Sequence, residues 1–180
     1  MAYRLIPFDL SGWESVELTG LIQRKGLTLQ INYSLEYKQG FDLLWPEPVE
    51  AAERRDGLWQ STCLELFVGS ISTSPYWELN LCPSGHWNWY RLESYRSELT
   101  AAELDIPPLR SQKQNLTDKT VHRQIEFSVK LPQELFDANS LQVGLSVVLQ
   151  KRDGDISYWA KNHGGIDADF HRRDGWLLFS

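Results

Sequence analysis

The chain has 180 residues, of which 42% are hydrophobic and 23% charged, with a formal net charge of -6 and a pI near 5.2. That length suits one domain able to bury roughly 70% of its unfolded surface without disulfide staples. The acidic balance excludes the basic field that nucleic acid or an anionic membrane requires.

From the N-terminus, MAYRLIPFDLSGW has no uninterrupted apolar run, so no secretion signal is expected and the chain reads as cytoplasmic. No apolar stretch approaches the roughly 20 residues of a membrane span. LTLQINYSLE (27–36) alternates, with Leu27, Leu29, Ile31, Tyr33 and Leu35 on one face, and predicts a strand. EPVEAAERRD (47–56) predicts a surface loop or a short exposed helix. CLELFVG (63–69) predicts a strand with Leu64, Leu66 and Val68 on one face and Cys63, Glu65 and Phe67 on the other. YWELNLC (76–82) and HWNWYRLESY (86–95) flank Pro83-Ser84-Gly85 and predict a hairpin. Its first arm puts Trp77, Leu79 and Leu81 opposite Glu78 and Asn80. Its second puts Trp87, Trp89 and Arg91 opposite His86, Asn88, Tyr90 and Leu92.

Residues 101–120 are polar, carry Pro107-Pro108 and predict a long loop. VHRQIEFSVKL (121–131) predicts a strand, and LPQELFDAN (131–139) a short helical turn. LQVGLSVVLQKR (141–152) and ISYWAK (156–161) flank Asp153-Gly154 as a second hairpin, and WLLF (176–179) ends the chain as a strand. Many short strands separated by turn signals, without alternating long helices, predict a single all-β antiparallel domain over residues 1–180, a sandwich or barrel. Cys63 and Cys82 match no metal spacing and are expected to be reduced structural thiols.

Eight tryptophans sit among seven tyrosines and seven phenylalanines. Where one lies near an acid on an open sheet, the ring can stack on a sugar while the carboxylate accepts hydrogen bonds from hydroxyls. Trp59 and Glu65 form such a pair, and an acid inside a strand is costly unless solvated or paired. In YWAKNHGGIDADFHRRDGW (158–176), Trp159, Asn162 and His163 precede a loop bearing Asp167, Asp169, His171 and Asp174. Asp167, Asp169 and His171 are candidate metal ligands, although their order fits neither an EF-hand nor a zinc motif.

Taken together, LWQSTCLELFVG, YWELNLCPSGHWNWYRLESYR and YWAKNHGGIDADFHRRDGW resemble the DOMON-like proteins and the related family 9 carbohydrate-binding modules, over roughly residues 30–180. The resemblance implies a jelly-roll β-sandwich with a ligand cleft on one sheet. It implies that Trp59 stacks with Glu65 beside it, that Arg91 is the basic member, and that Trp159 is the second aromatic with Asn162 as the amide and His163 adjacent. Here the tryptophan precedes the asparagine, unlike the order in the sugar modules, and their calcium sites are not recognisable. The expected function is non-catalytic binding of a small carbohydrate or similar polyhydroxylated ligand, with no cofactor. The alternatives are a haem or metal-binding domain, a protein-interaction module, and a glycoside-processing enzyme using Glu65 and Glu78. Met1 is the only methionine, so a haem site would rest on His163 or His171 rather than a Met/His pair.

Overall fold

A computed structural model describes residues 1–102, 111–136, 138 and 140–179. Among these the strands run β1 (Ala2–Pro7), β2 (Val16–Lys25), β3 (Thr28–Lys38), β4 (Cys63–Ser70), β5 (Tyr76–Leu81), β6 (Trp87–Leu92), β7 (Thr100–Ala101), β8 (Ser111–Leu116), β9 (Thr120–Lys130), β10 (Leu141–Gln150), β11 (Ile156–Ala160) and β12 (Leu177–Phe179). All pairings between them are antiparallel. One sheet has the order β1-β2-β3-β9-β8, and the other β7-β6-β5-β4-β10-β11-β1, with β12 beside one end of β10. Strand β1 joins them: Ala2 to Leu5 pair with β2, whereas Ile6 and Pro7 pair with β11.

The two sheets pack as a sandwich. From the first, Leu18, Ile22, Leu29, Ile31, Tyr33 and Leu35 point inward. From the second, Leu64, Leu66, Val68, Trp77, Leu79 and Trp89 meet them, and all of these are buried in one cluster. The period-2 alternation of each strand selects this face. Burying each such side chain contributes roughly 1.5–3 kcal/mol. Tyr33 crosses the layers: its hydroxyl donates to the Glu65 carbonyl at 2.5 Å, which ties β3 to β4.

The predicted strands and both hairpins are present. The predicted helix at 131–139 is a single 3-10 turn over Gln133–Leu135, with residues 137 and 139 outside the described set. Residues 47–56 form an irregular loop whose one pairing is the bridge between Arg54 and Trp87. The loop predicted over 101–120 is instead bounded by β7 and β8, and its residues 103–110 lie outside the described residues. Strands β1 and β2 go beyond the sequence reading. In β2 the apolar alternation Val16, Leu18, Ile22 is broken by Gly20, where the sheet needs space: a Cβ there would lie 2.8 Å from Leu145 Cδ1. Cys63 and Cys82 are free thiols. No helix among the described residues is long and apolar enough to cross a membrane.

Candidate functional site

The same alternation that fills the core leaves a polar outer face on the second sheet. Cross-strand register places Ser146, Glu65, Asn80 and Asn88 in one row and Gly144, Phe67, Glu78 and Tyr90 in the next. Glu65 and Glu78 therefore sit diagonally on adjacent strands. Three loops rise around them. Residues 56–60 bring Trp59, residues 93–99 bring Arg96, and residues 161–176 bring Ala168, Phe170 and His171. Together they bound a cleft of about 620 Å³ with the two carboxyls on its floor. Trp59, Tyr158 and Phe170 supply its aromatic walls.

The longest loop is pinned at its far end. Arg173 donates to four backbone carbonyls, those of Ser70, Thr73, Ser74 and Pro75. Trp176 lies on the sheet against Phe67 and donates to the Phe170 carbonyl at 2.9 Å. Gly144 makes room for that ring, since a Cβ there would be 2.6 Å from Trp176 Cδ1. On the opposite rim Arg96 adopts a left-handed φ of 49°, unusual for a side-chain-bearing residue. Its guanidinium holds Asp169 at 2.9 Å, and Tyr95 donates to the same carboxylate. These bonds tie the two loops together across the cleft.

Charge on the floor is poorly compensated. Ser146 donates to Glu65 Oε2 at 3.0 Å, yet burial, with the neighbouring Glu78 charge, pushes the Glu65 carboxyl well above the usual carboxylate range. Asn80 donates to Glu78 Oε1 at 2.8 Å, while the buried Oε2 has no hydrogen-bond partner. Burial raises Glu78 from 4.5 to about 7, against the lowering effect of the Asn80 bond and of Arg96. Burial likewise drops His171 from 6.5 to about 4, with Arg96 acting in the same direction, so the imidazole is neutral at pH 7. The Tyr76 hydroxyl accepts from the Arg96 backbone N–H at 3.3 Å and shares a hydrogen bond with His171 Nδ1 at 2.7 Å. The other ring nitrogen, Nε2, faces Glu78 Oε2 at 3.9 Å. That is too long for a hydrogen bond, and a neutral ring makes no ion pair.

The predicted site residues divide. Trp59 and Glu65 border the cleft together. Arg91 does not: it shares the inward face with Trp77, lies 5.5 Å over that indole, and pairs with Glu93 and with Glu134 at 3.8 Å. Trp159 is 1% exposed and packs on Trp13 in the core, so it is no second jaw. Asn162 lies beside the cleft, with Oδ1 close against Gly175. His163 bonds the Ile6 carbonyl at 3.0 Å and packs on Phe8 and Phe170, behind the cleft wall. Of the metal candidates, Asp169 is held by Arg96 and Tyr95, His171 by Tyr76, and Asp167 is exposed. Among the described residues no group of three His, Cys, Asp or Glu side chains could hold a metal ion.

Three wall residues were not in the predicted set. The signal for Tyr158 was present: in a strand, the residue beside a buried Trp159 faces outward. Gly144 leaves the space on β10 that the Trp176 ring fills. Arg96 and Phe170 carry no local signal, because only loop packing brings them in.

No protein-family model matches the sequence, and no curated protein does. Several solved structures resemble the fold. One is a protein of Bacteroides uniformis ATCC 8492 for which carbohydrate binding has been suggested. It has 10% identity and a TM-score of 0.61, covering 99% of this chain and 84% of that one. Another is a family 9 carbohydrate-binding module of Caldicellulosiruptor kristjanssonii in complex with glucose, at 12% identity and TM-score 0.44, covering 91% and 75%. A third is a family 9 module of the same organism with cellotriose, at 11% identity and TM-score 0.43, covering 91% and 73%. At such identities the likeness is one of fold. The class so defined is an all-β antiparallel sandwich with a ligand-sized cleft on the outer face of one sheet.

Proposed function

We propose that this protein is a non-catalytic binder of a small carbohydrate or similar polyhydroxylated ligand, held in the cleft over Glu65 and Glu78. The observation that carries this reading is the combination of two buried carboxyls with an aromatic rim in one cleft. An indole such as Trp59 offers a stacking surface for a pyranose ring. Glu78 Oε2, buried without a partner, offers a ready acceptor for a ligand hydroxyl. The suggested role of the Bacteroides protein with the same fold supports the reading. The size fits too, since pockets for small molecules run from about 300 to 1,000 Å³.

The test is isothermal titration with a panel that includes glucose and cellotriose. Trp59→Ala should weaken binding at least tenfold, as loss of a stacked ring costs on the order of 1.5 kcal/mol. Arg91→Ala, on the other side of the sheet, should leave it unchanged. Silence across the whole panel would refute the reading.

One observation favours a second reading, glycoside hydrolysis. Glu65 and Glu78 share the cleft floor, and burial raises both, Glu78 to about 7 and Glu65 well above the usual carboxylate range. Two carboxyls facing one cleft can supply an acid and a base. Turnover of an aryl glycoside that is lost in Glu65→Gln would establish it.

A further inference from the structure

The cleft lacks a cation for its own carboxyls. Glu78, from β5, is faced by Glu65 on β4, by Tyr90 on β6, by Arg96 from the 93–99 loop, and by His171 and Asp169 from the 161–176 loop. Tyr76 lies beside it on β5, spent on His171. Arg96 is committed to Asp169 through both Nε, at 3.2 Å, and Nη2, at 2.9 Å. His171 is neutral and stands 3.9 Å from Glu78 Oε2. Farther along the same loop, Arg173 is spent on the four carbonyls it bonds. The floor therefore holds two acids, one with an unpartnered oxygen, and no uncommitted cation among the described lining residues.

A neutral hydroxyl would leave that imbalance in place. An ammonium group would remove it, since a buried carboxylate gains most from a fully charged, hydrogen-bonding partner. The aromatic walls favour the same chemistry, because ring faces attract cations. We propose that the ligand is an amine-bearing sugar, its ammonium group seated against the Glu78 carboxylate and its ring against Trp59. This rests on the carbohydrate reading above and narrows it to one substrate class.

The proton balance gives a signature. Below about pH 7 the free protein carries a proton on Glu78, which the ammonium must displace. Affinity for the amine should then fall roughly tenfold for each pH unit below 7, whereas a neutral sugar shows no such loss.

The experiment is isothermal titration at pH 5, 6 and 7 with glucosamine, glucose, N-acetylglucosamine and ethanolamine. Glucosamine should bind at least tenfold more tightly than glucose or N-acetylglucosamine at pH 7. The margin should shrink toward pH 5 and vanish in Glu78→Gln, a variant first checked to be folded by its thermal transition. Equal affinity for glucosamine and glucose would overturn the inference and leave the carbohydrate reading standing. So would a preference that is flat with pH or that survives Glu78→Gln. A response to ethanolamine with none to any sugar would overturn the sugar assignment while supporting the ammonium seat. Silence of all four would overturn both.

Discussion

Replacing Glu78 with glutamine should stabilise the unliganded protein at pH 8 and destabilise it by about 1 kcal/mol at pH 4.5, where only the cost of the unmet amide N–H remains. Folding raises this carboxyl from 4.5 to about 7, chiefly through burial. Between those values the folded state keeps a proton that the unfolded chain releases, so stability falls as pH rises through that window. Each tenfold change in proton affinity is worth about 1.4 kcal/mol, so the whole window is worth roughly 3 kcal/mol. Glutamine carries no charge to desolvate and keeps an oxygen for the Asn80 bond, while an unmet amide N–H costs about 1 kcal/mol of the gain. The net of roughly 2 kcal/mol corresponds to a Tm rise of about 4–8 °C in a chain of this size. Loss of the Glu78 charge also removes one cause of the Glu65 shift, which adds in the same direction.

His171 has the opposite slope. Its pKa is depressed from 6.5 to about 4, so its contribution is present above 6.5 and is lost as pH falls toward 4. The two slopes oppose each other between about pH 4.5 and 6.5 and flatten the wild-type curve there. Subtracting wild type from variant removes the His171 slope and leaves that of Glu78, with the smaller Glu65 change adding in the same direction. The assay is thermal unfolding of both proteins from pH 4.5 to 8.5. A Tm difference that does not grow with pH, or a variant less stable at pH 8, would show that Glu78 is not the strained acid described here.

Gly144→Ala should destabilise the protein by about 1–3 kcal/mol in urea unfolding, because the new methyl would lie 2.6 Å from Trp176 Cδ1 and the ring is already fixed by Phe67 and the Phe170 carbonyl; a loss below about 0.5 kcal/mol would mean the ring moves freely. Arg173→Met keeps the aliphatic stem but removes the bonds to four carbonyls. It should cost about 2 kcal/mol or more and speed amide exchange across residues 161–176, and unchanged exchange there would contradict the role of Arg173 as the loop's anchor.

The fold was legible because its signal is local. Alternation in 27–36, 63–69, 121–131 and 141–150, with turn residues at Pro83-Ser84-Gly85 and Asp153-Gly154, specifies strands, and the apolar face of each specifies a sandwich. Strand β8 was hidden for the converse reason: Ser111–Leu116 is an edge strand at the end of its sheet, with almost no apolar residue to mark a face. The first jaw of the candidate site was legible in Trp59 and Glu65, because an acid inside an apolar strand stands out. The second was misplaced by one residue: Trp159 faces the core and Tyr158 the cleft.

By itself the sequence determined which residues lie on opposite faces of each strand, since that depends only on the two-residue period of extended backbone. It could not determine which strands become neighbours, nor how the loops fold back over them. Tertiary structure alone set Glu78 diagonal to Glu65 and brought Arg96, Phe170 and His171 over the floor. The reason is that these relations rest on pairing and packing between residues far apart in the chain, where no local pattern records the partner.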